Sequence, residues 1–140
     1  MKRIFVAYLA LLNSIYCQSI SLYHYLGDIK YELQLTKERL IELKGIDPYD
    51  SNSIQPTISQ VAKSATTKFN DMNKGKNNPI IDHMKIKNVC LTHICNTSEN
   101  VAVWIWEVKF ESDEMGAKNQ FSIYIDKNGN ALIPIVKNTK

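Results

Sequence analysis

Met84–Val89 (MKIKNV) and Val101–Trp106 (VAVWIW) flank the six residues Cys90–Cys95 (CLTHIC), and this stretch decides the fold. The flanks are rich in β-branched and aromatic side chains, which favour extended strands. Two such strands joined by a short connection predict an antiparallel hairpin. The two cysteines are therefore expected at the ends of the hairpin loop, with His93 near its tip.

Further strands follow this hairpin. Phe121, Ile123 and Ile125 alternate with polar residues, which predicts a third strand over 121–126. Residues 126–130 (DKNGN) predict a turn in which Gly129 takes a positive φ. A fourth strand is expected over 131–136, at a sheet edge because Pro134 has no N–H to donate. With strands at 84–91 and 101–110, the prediction is a four-stranded antiparallel meander.

The N-terminal half predicts two helices. Apolar residues recur at steps of three, four and seven, which is typical of one helical stripe ending near Gly45; they are Leu22, Leu26, Ile29, Leu33, Leu40 and Leu43. Thr57 and Gln60 have capping-box spacing and predict the start of a second helix that ends at Gly75. The predicted fold class is α+β, with two N-terminal helices packed on a four-stranded antiparallel β-meander.

The first residues resemble a secretory signal. Lys2 and Arg3 precede the apolar run 4–12, and small side chains precede a cleavage point after Ser19. We therefore expect a signal peptide over 1–19, a single domain over 20–140, and a periplasmic or secreted protein without a membrane span after cleavage. An uncleaved anchor and a buried first helix are the alternatives.

Composition argues against a nucleic-acid partner. Without Lys2 and Arg3, 15 of the 17 basic residues remain against 14 acidic ones. Basic residues are spread among acidic ones, and no basic run contains interleaved aromatic residues. A length of 140 residues suits one domain with a single modest core.

The cysteines predict a disulfide. Cleavage after Ser19 removes Cys17 and leaves Cys90 and Cys95, an even number in an exported chain. The simplest interpretation is a structural disulfide beside an incidental surface histidine. A metal site built from Cys90, His93, Cys95 and His83 is less favoured, because the spacing is tighter than that of usual zinc sites. We predict no metal and no cofactor.

Nothing in the sequence indicates catalysis. Phosphate-binding glycine loops, G-x-S-x-G and H-E-x-x-H are all missing from the chain. A disulfide also removes the thiolate that Cys–His chemistry requires. Residues Asp126, Asn128 and Asn130 begin like a calcium loop, but Ala131 occupies the glycine position, so a turn is the better interpretation. We predict that the protein is not an enzyme.

The C-x-x-H-x-C element resembles that of the Ivy family, the bacterial inhibitors of vertebrate lysozyme. In that family a disulfide-closed C-K-P-H-D-C loop carries a histidine into the lysozyme active site; the matching residues here are Cys90, His93 and Cys95. Leu91, Thr92 and Ile94 stand where the family has Lys, Pro and Asp. The resemblance extends over about residues 57–126, including the helix from Thr57 and the apolar run from Val101.

The resemblance implies an exported inhibitor of a lysozyme-like peptidoglycan hydrolase. His93 would enter the cleft, and Leu91, Thr92 and Ile94 would contact its rim. One alternative is a periplasmic immunity protein that neutralises a delivered toxin, whose gene would lie nearby. The other is an envelope structural or assembly protein that associates through its first helix, for example as a homodimer.

Overall fold

The first predicted helix is instead mostly a β-hairpin. The computed structural model describes residues 19–74, 79–91, 102–112 and 119–137. Strands β1 (Ser19–Leu26) and β2 (Ile29–Thr36) pair antiparallel around a turn in which Gly27 has a φ of +59°. This positive φ suits glycine, which has no Cβ to clash.

The apolar spacing that predicted a helix also fits this hairpin. Leu22 lies opposite Leu33, and Leu26 lies opposite Ile29. Residues directly opposite each other in an antiparallel pair share a face of the sheet. The spacing is symmetric about the turn, so the same four residues form a stripe on a helix and one face of a hairpin.

Only the end of the predicted first helix is helical. Helix α1 (Lys37–Leu43) begins after Thr36, whose Oγ1 accepts a hydrogen bond from the Arg39 N–H at 3.2 Å. Its Leu40 and Leu43 are buried. A seven-residue helix is too short to be stable alone, so its packing on the sheets must hold it.

Helix α2 (Ile58–Asn73) confirms the second predicted helix and its capping box. The Gln60 N–H donates to Thr57 Oγ1 at 3.3 Å, and the Thr57 N–H donates to Gln60 Oε1 at 2.9 Å. The helix ends at Lys74, which adopts a left-handed φ of +51°. Val61, Ala65 and Phe69 are its buried apolar residues. Ile58, which the apolar spacing assigns to the same face, is instead 62% exposed.

The remaining strands do not form one meander, because they are divided between two sheets. Strands β3 (Ile80–Cys90), β4 (Ala102–Ser112) and β5 (Asn119–Ile125) form an antiparallel sheet in the order β3-β4-β5, called here the second sheet. Strand β6 (Ile135–Lys137) pairs with β2 and completes the first sheet, in the order β1-β2-β6. The predicted architecture of two helices on a four-stranded meander is therefore wrong.

The last strand leaves the second sheet for a physical reason. The turn after β5 forms as predicted, with Gly129 at a φ of +84°, and Ala131 forms a single bridge to Ile125. The Leu132 N–H still donates to the Tyr124 carbonyl at 2.8 Å. Pro134 follows, and its missing N–H prevents the ladder from continuing. The chain then crosses to β2, where β6 lies at the edge, as Pro134 predicted.

Two buried clusters hold these elements together. On one face of the second sheet Phe69 of α2 stacks on Phe110, with ring centroids 4.6 Å apart. On the other face Val103 and Ile105 pack with α1 and with the open end of the first sheet. Among the described residues, no helix is long and apolar enough to cross a membrane.

Candidate functional site

The predicted loop begins and ends at the tip of a long hairpin. Cys90 is the last residue of β3 and lies opposite Ala102, the first residue of β4. Each strand has eleven residues, so the base of the connection is held by an extended ladder. The predicted hairpin is therefore confirmed. Thr92, His93, Ile94 and Cys95 lie outside the described residues, and the partner contacts and the Cys90–Cys95 disulfide remain predictions.

Leu91 has a different position from the one the loop hypothesis gave it. Its side chain is 3% exposed and belongs to the cluster that includes Val89 and Val103. A side chain this buried contributes to the core and is not presented to a partner. Leu91 therefore anchors the start of the loop in the core, and Thr92, His93 and Ile94 remain as the proposed contact residues.

An exposed aromatic residue lies near the base of this loop. Tyr49 is 89% exposed, and its ring stands edge-on to Trp104, with centroids 6.2 Å apart and planes at 90°. The turn that carries Tyr49 is held by side chains: Asp47 Oδ1 accepts the Tyr49 N–H, and Ser53 Oγ accepts the Asp47 N–H, both at 2.9 Å. Trp104 is the third residue of β4, so this turn places Tyr49 near the start of that strand.

A second group of polar residues lies on the second sheet around Glu107. This residue is 6% exposed. Its Oε1 accepts the Tyr124 hydroxyl proton at 3.0 Å and lies 3.5 Å from Lys87 Nζ, and its Oε2 lies 3.2 Å from Lys85 Nζ. Burial alone raises the pKa of Glu107, but the Lys87 charge and the hydrogen bonds from Lys85 and Tyr124 together hold it below its usual value.

His24 joins the first sheet to this group. Its Nε2 lies 2.9 Å from the Tyr124 hydroxyl oxygen. Tyr124 has one hydroxyl proton, and the Glu107 carboxylate is its strongest acceptor. The Tyr124 oxygen must then accept from His24, which assigns the Nε2–H tautomer to the neutral imidazole. The hydrogen bonds thus run in one direction, from β1 through β5 to β4.

The surroundings of these hydrogen-bonded side chains favour a neutral His24 and a protonated Tyr124. Burial lowers the pKa of His24 below 6.5; the Glu107 charge opposes this shift, and the Lys87 and Lys109 charges add to it. Burial and the Glu107 carboxylate raise the pKa of Tyr124 well above its usual range. The group therefore serves as a connection between the sheets.

Only a partial indication of this group is present in the sequence. Glu107 interrupts an apolar strand, which predicts that one face of β4 is solvent-exposed from this residue onward. In the fold, Tyr124 and the lysines cover that face. His24 was assigned to a helix, so its approach to β5 was not predictable without the correct topology.

The metal alternative loses one of its proposed ligands. His83 lies seven residues before Cys90 on β3, which separates them by about 23 Å in an extended strand. His83 Nδ1 instead lies 2.8 Å from Asp82 Oδ2. In the part of the chain that the structure describes, no three potential ligands come together.

The calcium-loop alternative is replaced by the predicted turn. Asp126 Oδ1 accepts the N–H groups of Asn128 and Asn130, at 2.8 and 2.9 Å. A side-chain oxygen that accepts backbone N–H groups two and four residues later stabilises a turn. These residues therefore close the turn between β5 and the segment that leads to β6.

No family model, no curated protein and no solved structure matches this chain. The resemblance to the Ivy family therefore rests on the residues of the loop and the segment around it.

Proposed function

We propose that this chain is an exported, non-enzymatic inhibitor of a lysozyme-like peptidoglycan hydrolase, and that the loop carrying His93 plugs the active-site cleft of that enzyme. The observation that carries the proposal is the pairing of Cys90 with Ala102 at the end of an eleven-residue antiparallel ladder. The residues between them connect the strands at one end of the second sheet, which suits insertion into a concave site.

The chemistry of the cleft suits an imidazole. Lysozyme-like enzymes cleave glycosidic bonds with paired carboxyl groups. An imidazole has two ring nitrogens, so it can hydrogen-bond to both carboxyl groups, and its protonated form gains from their negative charge. Closure of the loop by Cys90 and Cys95 would order it before binding and reduce the entropy lost on association. Thr92 and Ile94 would contact the cleft on either side of His93.

The envelope-assembly alternative has lost its basis. It required a long first helix as the association surface, and residues 19–36 instead form strands β1 and β2. The immunity alternative uses the same loop on a different target, and the inhibition experiment separates the two.

The test is inhibition of a panel of animal lysozymes by the oxidised, processed protein. His93→Ala is compared with His83→Ala, since His83 lies near the opposite end of β3 and is partly exposed. We expect inhibition by the parent and by His83→Ala, and its loss in His93→Ala. Full inhibition by His93→Ala would refute the plug. If the parent inhibits none of the lysozymes, the hydrolase proposal fails, and a toxin encoded beside this gene becomes the partner to test.

A further inference from the structure

Strand β6 is a sheet edge that exposes aliphatic side chains on both faces. Ile135 is 48% exposed and Val136 is 57% exposed. Consecutive residues of a strand point to opposite faces, so both faces of this edge are partly exposed. Among the described strands, β2 is the neighbour of β6, and the other side of β6 has none.

Natural sheet edges are usually protected by charged side chains that repel another strand. The candidate for that role here is Lys137, but its Nζ lies 3.0 Å from Glu32 Oε2. Glu32 also accepts hydrogen bonds from Ser21 at 2.7 Å and Tyr23 at 3.3 Å. Glu32 thus offsets part of the Lys137 charge within its own sheet, so Lys137 protects the edge less than an unpaired lysine would.

The apolar surface continues around this edge. Ile133, which leads into β6, is 72% exposed, and Tyr23 on the outer face of the first sheet is 50% exposed. Tyr23, Glu32 and Ile135 lie opposite one another across the three strands. The described residues include ten exposed large hydrophobic side chains. The first sheet and the segment that leads into β6 hold six of them: Tyr23, Tyr25, Ile29, Ile133, Ile135 and Val136. These residues lie on both faces of the first sheet, around its unpaired edge, so they favour an interaction at that edge.

We propose that β6 pairs antiparallel with β6 of a second copy of this chain, which joins the two first sheets into one six-stranded sheet. Opposed residues must share a face of the sheet, so the twofold axis lies midway between the two copies of one residue. This is called here an axis through that residue. In a three-residue strand the axis passes through Ile135, Val136 or Lys137.

Charge and backbone hydrogen bonding select Val136. An axis through Lys137 places two ammonium groups directly opposite each other, which is destabilising. An axis through Ile135 places Pro134 opposite Val136, and Pro134 has no N–H for the ladder. An axis through Val136 packs two valines against each other and sets each Ile135 beside the aliphatic part of the other copy's Lys137. This register is the self-complementary one.

The size of the interface sets the strength expected. Three residues of strand pairing bury much less than the roughly 800 Å² per partner of a standard stable interface. The exposed Ile133 lies next to the seam and adds to the contact. The dimer is therefore expected to dissociate on dilution, with association visible between micromolar and millimolar concentrations of protein.

Sedimentation equilibrium of the full processed chain tests this surface. We expect concentration-dependent dimers for the parent, monomers for Val136→Lys, and parent-like dimers for Ile58→Lys. Ile58 is a matched control because it is a 62% exposed aliphatic residue on α2, in a different element from the proposed seam. A parent that stays monomeric at millimolar concentration overturns the proposal, as does a dimer that Val136→Lys leaves intact.

A charge-swap experiment tests the register and also controls for misfolding. Val136→Lys and Val136→Glu should each be monomeric alone, because like charges meet on the axis. When mixed, they should form a heterodimer, since each axis then carries one lysine and one glutamate. If neither variant associates alone or in the mixture while both keep the circular dichroism spectrum of the parent, the axis through Val136 is wrong.

Discussion

Tyr124 donates its hydroxyl proton to Oε1 of the buried Glu107 across 3.0 Å, and this bond fixes the direction of the hydrogen bonds that link the two sheets. The Tyr124 oxygen is left to accept from His24 on β1. A carboxylate that is 6% exposed is costly to bury unless its charge is balanced, and Lys85 and Lys87 supply that balance. We therefore expect the described fold to depend on this group more than on the exposed Arg39–Glu42 ion pair.

Replacing Glu107 tests that dependence. Glu107→Gln keeps the shape of the side chain but removes the negative charge that Lys85, Lys87 and Tyr124 contact. Hydrogen bonds to charged groups contribute about 1.5–3 kcal/mol, so we expect the free energy of unfolding in urea to fall by an amount in that range. Glu42→Gln is the control, because its ion pair with Arg39 lies on the surface of α1 and should contribute less than about 1 kcal/mol. Equal effects in the two variants would contradict the buried role of Glu107.

The stability of the protein should depend on pH through His24. Burial lowers the pKa of His24 in the folded state below 6.5, so the unfolded chain takes up this proton more readily. Stability is therefore greatest above about pH 6.5 and falls as the pH drops through the folded pKa of His24. Glu107, whose folded pKa is also lowered, adds a separate loss at more acidic pH.

Urea denaturation at a series of pH values measures this dependence. His24→Gln keeps an N–H donor for Tyr124 and does not titrate. Between pH 7 and the folded pKa of His24, the free energy of unfolding of this variant should therefore fall less than that of the parent. His83→Gln is the control, since His83 is a partly exposed histidine on a different strand. If His24→Gln and the parent lose stability in parallel over this window, His24 is not the titrating group.

The sequence predicted the C-terminal half of the fold better than the N-terminal half, for reasons of geometry. Phe121, Ile123 and Ile125 have a period of two, which only a strand explains. Leu22, Leu26, Ile29 and Leu33 fit both a helical stripe and a hairpin face. The stronger signal was the alternation in residues 29–35 (IKYELQL) after the Gly27–Asp28 turn. The pairing of β6 with β2, and not with β5, was not predictable, because strand order depends on long-range pairing.

For the candidate site, local pattern predicted the position of the loop but not the burial of its residues. Cys90 at the end of β3 follows from the strand signals on either side of the loop. Leu91 was expected at the surface because it stands inside the loop motif, yet it belongs to a buried cluster that also includes residues of α1 and the first sheet. Those elements were predicted with the wrong architecture, so this cluster was missed.

The capping box of α2 gives a local test. Thr57→Ala removes the hydroxyl that accepts the Gln60 N–H, and loss of a threonine cap typically costs about 1 kcal/mol. Chemical denaturation should show a decrease of that size in the free energy of unfolding. Thr67→Ala is the matched control, because Thr67 is an exposed residue inside the same helix, where alanine is the better helix former. If Thr57→Ala is as stable as Thr67→Ala, the capping box does not stabilise α2.

A substitution at Leu91 distinguishes a core role of this residue from a partner-binding role. Leu91→Ala removes a side chain that is 3% exposed and leaves a cavity among Val89, Val103 and their neighbours. Substitutions of this kind cost about 2–5 kcal/mol, and we expect the free energy of unfolding to fall accordingly. Ile41→Ala, at a residue that is 51% exposed, should change it by less than about 0.5 kcal/mol. A fully stable Leu91→Ala protein would mean that Leu91 is not a core residue, and it would return Leu91 to the set of residues proposed to contact the hydrolase.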